Sequence, residues 1–185
     1  MDDIVIRALA KWPNVPHCFG WLGLDARGQW FMRDDQAQRA GAFASGIRAA
    51  KGSLLMHDKL IEFIARNYAA DALGQWFFQN GPQRVYVELA ATPYIWRIND
   101  EHQVSAHTGH VSAVQHCLLD ELGHVYLQCE LGFGLVHSQD VARAADALEI
   151  GLWTAQTVAS ADLPRRFAFV KSPQETSSTL PVLRR

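Results

Sequence analysis

Residues Asp71 to Ile98 read D-A-L-G-Q-W-F-F-Q-N-G-P-Q-R-V-Y-V-E-L-A-A-T-P-Y-I-W-R-I, the densest alternation of aromatic and β-branched side chains in the chain. A period of two sends successive side chains to opposite faces of a pleated strand, so this stretch must be sheet. Asp71 to Gly74, Asn80-Gly81-Pro82 and Ala91-Thr92-Pro93 set Asp, Gly, Asn or Pro where a strand has to turn. The stretch is therefore expected to form three antiparallel strands.

The same turn chemistry recurs. Asp25-Ala-Arg-Gly-Gln-Trp-Phe31 and Asp71-Ala-Leu-Gly-Gln-Trp-Phe77 differ at one position, and Asp120-Glu-Leu-Gly-His-Val-Tyr126 is a weaker third copy. In each, Asp can bond its own backbone, Gly takes a positive φ, and an apolar or aromatic residue opens the returning strand. The first two copies point as much to an internal duplication as to convergence on a good turn, and the third to convergence.

Ahead of the first copy, Ile4, Val5, Ala8 and Leu9 fall on one stripe that Pro13 must end, a short packing helix. Residues Asp34 to Gly52 are rich in Ala, Gln and Gly and are expected as an irregular connection. From His57 to Tyr68, Leu60, Ile61, Phe63 and Ile64 share a face opposite Asp58, Lys59, Glu62 and Arg66, an amphipathic helix. Four further short strands are expected over His102 to Thr108, Ala113 to Leu119, His124 to Cys129 and Gly134 to His137, then a helix capped by Ser138 with Asp140 in its first turn. Arg165 to Lys171 is expected as an edge strand, and Ser172 to Arg185 as a mobile polar tail.

The fold class that follows is α+β: a duplicated hairpin-plus-helix motif whose C-terminal half is a seven-stranded antiparallel sheet or barrel followed by a helix, the element order of pleckstrin-homology-like domains. Its divisions are residues 1–56 as an N-terminal α+β subdomain, 57–153 as the pleckstrin-homology-like subdomain with its leading helix, and 154–185 as an extended segment.

Composition narrows function by exclusion. A net charge of -2 and 49% apolar residues describe an ordinary globular chain without an electrostatic footprint for nucleic acid or an anionic membrane. The start, Met1-Asp2-Asp3, lacks the basic and apolar regions of an export signal, and Cys18, Cys117 and Cys129 match no zinc or disulfide spacing. Reduced thiols in a cytoplasmic protein are expected, with Cys117 and Cys129 able to meet across a hairpin.

Cys18-Phe-Gly-Trp-Leu-Gly-Leu-Asp-Ala-Arg-Gly-Gln-Trp30, the helix around Leu60 to Phe63, and Trp76 through Glu88 followed by Pro93-Tyr94 together resemble the bacterial domain of unknown function 1285 family, or a closely related uncharacterised bacterial family. The resemblance implies an α+β fold with a duplicated core, a C-terminal half like a pleckstrin-homology domain, and a ligand site between the halves.

No catalytic constellation is found. A nucleophile elbow is missing, Gly132-Phe-Gly134 has His137 where a dinucleotide fingerprint needs Gly, and Asp120 and Glu121 are neighbours pointing apart. Asn80, Gln83 and Arg84 at a tight turn, Tyr94 and Trp96 on the next strand, and His107 with Thr108 at a strand end are the residues suited to hold a planar or anionic group. Three readings follow. The first is a non-catalytic cytoplasmic module, regulatory or signalling, that binds a small anionic or nucleotide-like ligand or a partner protein and needs no cofactor. The second is a metal-dependent enzyme using the cluster of His102, His107, His110, His116, His124 and His137. The third is a structural homodimer joined through strand edges.

Overall fold

The computed structural model describes residues 1–179. The chain forms two compact units: Met1–Asp25, Gln29–Ala90 and the chain from Val170 make the first, while Ala26–Gly28 and Ala91–Phe169 make the second. The division expected after residue 56 falls inside the first unit.

In the first unit α1 (Asp3–Lys11) leads to β1 (Cys18–Leu24), β2 (Trp30–Met32), α2 (Asp35–Ala40), α3 (Arg48–Lys51), β3 (Ser53–Leu54), α4 (Asp58–Arg66), β4 (Tyr68–Ala70), β5 (Trp76–Asn80) and β6 (Gln83–Leu89). The strands order as β3-β2-β1-β6-β5-β4, with β1 and β6 parallel at the centre. α1 ends one residue before Trp12 and two before Pro13, as the missing amide of proline requires. The segment expected as irregular holds two short helices, the first capped by the Asp34 carboxylate, which accepts from Ala37 N at 2.8 Å. α4 buries Ile64 and turns Asp58, Lys59 and Glu62 outward. Leu22, Leu24, Trp30, Phe77, Phe78, Val87 and Leu89 fill the core.

The second unit runs β7 (Tyr94–Ile98), β8 (Val104–Ala106), β9 (Val114–Leu119), β10 (Val125–Cys129), β11 (Gly132–Val136), α5 (Val141–Glu149), β12 (Ala155–Thr157) and α6 (Leu163–Arg166), in the order β12-β9-β10-β11-β7-β8. β11 lies parallel to β7, and β12 parallel to β9. The seven-stranded antiparallel sheet is thereby corrected. β5 and β6 belong to one six-stranded sheet and β7 to β11 to another; both are mixed, and their linear strand orders leave each open rather than closed into a barrel. Periodicity identifies a strand but not its partner, and here two parallel pairings decide the partner.

The units repeat one wiring. A hairpin comes first (β1–β2; β7–β8), a three-stranded meander follows (β4–β5–β6; β9–β10–β11), and the last meander strand returns parallel to the first hairpin strand. The order β2-β1-β6-β5-β4 thus matches β8-β7-β11-β10-β9, with β3 and β12 added at opposite ends. The duplication is a hairpin plus a meander, and no helix stands between β8 and β9. Asp71 turns β4 into β5 and Asp120 turns β9 into β10, so the second and third D-x-x-G copies are equivalent, whereas Asp25 turns a hairpin. Trp30 and Trp76, expected as counterparts in two halves, share one sheet and flank Tyr68, with ring centroids 5.4 and 4.7 Å away.

The chain re-enters the first unit at Val170, whose amide donates to Gly74 O, and Pro173–Thr179 forms α7. Part of the tail expected to be mobile is therefore helix, and Leu180 to Arg185 lie outside the described residues. Arg165 to Lys171 is no edge strand: α6 occupies its start and Ala168 has φ 49°. Nor does Ser138 cap by its side chain; His137 Nδ1 accepts from Gln139 N at 3.1 Å instead. Among the described residues no helix is long and apolar enough to cross a membrane.

Candidate functional site

A pocket of about 260 Å³ opens in the first unit between α4 and the sheet. Its floor is Leu22, Phe78 and Val85, its roof Leu60 and Ile64 of α4 with Leu55 before it, and Cys18 and Asn80 complete its lining. Phe63 meets Phe78 edge to face at 5.4 Å, fixing how α4 lies on β5. Trp21 and Met32 border the pocket and stay 46% and 52% exposed. Neighbours in a regular strand face opposite sides, yet Trp21 and Leu22 both line this cavity. The β1 register shifts between Cys18 and Leu22, and Gly20 within the shift takes φ 78°, which re-aims the strand. No charged side chain lines the pocket, and its polar groups are the Asn80 carboxamide and the Cys18 thiol.

Of the seven residues expected to hold a ligand, only Asn80 lines this cavity. Gln83 pairs with Asn80 across the Gly81-Pro82 turn, but its Nε2 donates to Pro16 O at 2.9 Å. The Arg84 guanidinium lies 4.5 Å above the Phe77 ring, packed on the sheet rather than held out as a clamp. Tyr94, Trp96, His107 and Thr108 belong to the second unit. There Tyr94 stacks on Trp96 at 5.3 Å, and the Trp96 indole donates to Leu127 O at 3.0 Å, both side chains being buried. His107 Nδ1 accepts from Ile95 N at 3.3 Å, and burial drives its pKa down to about 3, so the ring is neutral. Thr108 Oγ1 and His110 Nδ1 share a hydrogen bond of 3.1 Å. These residues build the core and one turn of the second unit.

The six histidines are not gathered at one place. Four of the six rings have local partners, His107 with Ile95, His110 with Thr108, His124 with the Asp120 carboxylate at 2.9 Å and His137 at a helix start, while His116 projects from β9 into solvent and His102 lies in the turn between β7 and β8. Among the described residues no three His, Cys, Asp or Glu side chains stand where they could hold a metal ion together. Cys117 and Cys129 lie on paired strands but out of register, Cys117 opposite Leu127 and Cys129 opposite Val114, and both thiols are free. Burial raises both, Cys129 to about 12, which keeps them protonated and inert.

The pocket-forming residues that sequence reasoning missed, Leu22, Leu60, Phe78 and Val85 among them, read as plain core residues. The signal that could have marked the site is the Trp21-Leu22 pair beside a glycine, two consecutive large side chains in a strand that otherwise alternates.

The family model described as "Protein of unknown function (DUF2946)" matches residues 1–174. No curated protein matches the sequence. Among solved structures, a DUF1285 family protein from Silicibacter pomeroyi DSS-3 is similar with a TM-score of 0.47 and 11% sequence identity, over 79% of this chain and 84% of that one.

Proposed function

The chain belongs to the family described as "Protein of unknown function (DUF2946)", and from that premise, which assigns no chemistry, we propose that it is a non-catalytic binding module whose first unit takes an uncharged, largely apolar group. The observation carrying this reading is the apolar pocket beneath α4, with exposed Trp21 and Met32 at its border. Ligand sites are concave and mostly apolar, with a few polar groups that orient what enters, a role open here to Asn80. At about 260 Å³ the cavity falls just under the range of roughly 300–1,000 Å³ usual for drug-sized ligands, so one ring system or short chain fills it. An anionic or nucleotide-like ligand would need a cation at the pocket, and Arg84 is committed to Phe77. The lining carries no carboxylate, imidazole or amine for acid–base work.

A second reading, in which a partner protein presents that apolar group as a side chain, is favoured by the exposure of Trp21 and Met32, the kind of aromatic and sulfur-bearing surface enriched at interfaces.

Screening short aliphatic and aromatic alcohols by thermal shift tests the proposal, because a ligand that prefers the native state raises the midpoint. A saturable rise in the native chain that vanishes in a folded Leu60→Trp variant is expected. No rise with any such compound, or an equal rise in the filled variant, overturns it.

A further inference from the structure

On the first unit a second recess is roofed by the chain's own C-terminal segment. Ser172 Oγ donates to Glu88 Oε2, and Gln174 N donates to Glu88 Oε1 at 3.0 Å. The Gln174 side chain donates through Nε2 to Gln38 Oε1 at 3.1 Å, and its Oε1 accepts from Arg33 Nη1 at 3.5 Å. The floor is desolvated: Arg33 and Glu88 are 1% and 2% exposed. Arg33 is locked by carbonyls, donating to Ala50 O at 2.8 Å, Gly41 O at 2.6 Å and Gly20 O at 3.2 Å. Gly20 completes the fit, since a Cβ there would stand 2.6 Å from the Gln174 carboxamide.

The grip is mostly polar. Pro173 is buried, Ser172, Gln174 and Ser177 are half-buried, and Lys171, Glu175 and Thr176 are exposed. Little apolar area holds the segment down, and opening it returns water to a buried carboxylate whose pKa burial has raised. Segments held in this way open far below the cost of global unfolding.

We propose that the recess floored by Gly20, Arg33, Gln38 and Glu88 is a peptide-binding site kept closed in cis by residues 172–179. It takes a segment of the same chemistry: uncharged at the two side chains that enter the recess, a hydroxyl two residues ahead of a carboxamide, with charges such as Glu175 left in solvent. Glu88 reads the hydroxyl and the backbone amide two residues on, and Gln38 with Arg33 reads the carboxamide oxygen and nitrogen together, a pattern that a lone amine or carboxylate cannot satisfy. The tethered copy wins by effective concentration, so an outside segment binds in proportion to the open fraction.

The test uses the full chain and a fluorescein-labelled peptide of residues 171–179. The Gln174→Ala chain, whose own segment has lost its carboxamide, is expected to bind the peptide about tenfold or more tighter than the unaltered chain, while a peptide bearing the same substitution binds neither. Size-exclusion chromatography of the variant mixed with the unaltered chain distinguishes the sources: a mixed dimer that excess peptide reverses marks a second copy of this chain, and a variant that stays monomeric in the mixture yet binds peptide marks another protein. Should the variant not fold, hydrogen exchange on the unaltered chain decides: Gln174 and Thr176 amides are expected to exchange about tenfold or more faster than Val87 and faster again with excess peptide. Absence of saturable binding to a folded variant, equal binding of both peptides, or Gln174 exchanging no faster than Val87 overturns the proposal.

Discussion

The indole of Trp96 donates to the carbonyl oxygen of Leu127, and Gly134 stands in the space between their strands: a Cβ on Gly134 would lie 2.5 Å from the indole nitrogen and 2.4 Å from Tyr94 O. The parallel seam of β7 and β11 therefore depends on a missing side chain, and Trp96, at 0% exposed, cannot move aside into solvent.

Gly134→Ala is accordingly expected to lower stability by about 1–3 kcal/mol, the usual cost of forcing a methyl group into a packed core. Urea unfolding followed by tryptophan fluorescence measures it, and an unchanged midpoint would contradict the close approach.

The three D-x-x-G turns carry different loads. Asp120 accepts from Leu122 N, His124 N, His124 Nδ1 and Tyr126 OH, and Asp71 from Leu73 N, Gln75 N and Tyr86 OH, while Asp25 takes Gln29 N and the Lys51 ammonium. Substitution by Ala removes a carboxylate partner from a Tyr hydroxyl at the first two sites only, at about 1–3 kcal/mol each. Asp120→Ala and Asp71→Ala are expected to unfold at lower denaturant than Asp25→Ala.

Acid weakens the second unit over a defined window. The His107 pKa is lowered to about 3, so its contribution is complete above the unfolded-state value near 6.5 and is lost as pH falls from there toward 3. The slope approaches about 1.4 kcal/mol per pH unit for one proton. For Asp140 burial disfavours the charge, but Arg97 and the Ile98 N–H outweigh it and hold the carboxyl below the ordinary range, adding a further loss below about pH 4. Glu88 in the first unit has the opposite sign, because burial raises it and protonation relieves the cost. Thermal melts from pH 8 to 4 are expected to show a falling midpoint for the second unit, flattened by His107→Asn, which keeps an acceptor for Ile95 N but does not titrate.

Thiol reactivity reports on the pocket. Cys18 is half-buried at its edge, whereas Cys117 and Cys129 are buried and protonated. Iodoacetamide at pH 8 is expected to modify Cys18 about tenfold or more faster than the other two, and a bound apolar ligand to slow that reaction. Mass spectrometry of the alkylated peptides checks both.

The sequence reading succeeds where local chemistry suffices. Pro13 ends α1, the outward charges of Asp58, Lys59 and Glu62 define α4, and Asp25 and Gly28 turn β1 into β2. It fails where distant partners decide. Nothing in Val136 or Trp96 announces that their strands run parallel, and the closest match in residues, Asp25 with Asp71, hides the topological match of Asp71 with Asp120. Among the aromatic and histidine residues singled out as ligand holders, Trp96 donates its indole N–H to Leu127 O and His107 accepts through Nδ1 from Ile95 N, backbone partners that composition does not reveal. Arg33 is a cation that the sequence does not single out, and it is almost wholly buried because the carbonyls of Gly20 in β1, Gly41 at the end of α2 and Ala50 in α3 converge on it. Asn80 was found for its turn chemistry, and the apolar cavity it borders exists because α4 rests on Phe78 and leaves a gap beside Leu22.

Docking of α7 on β1 and β6 has a consequence for biosynthesis. A ribosome delivers the N-terminal unit first, yet that unit lacks its last piece until residue 174 has cleared the exit tunnel, so the part made earliest is the part finished last. Until then the carboxylate of Glu88 and the guanidinium of Arg33 stay hydrated on a nascent sheet, and the emergence of α7, rather than of β6, sets the moment at which they go dry.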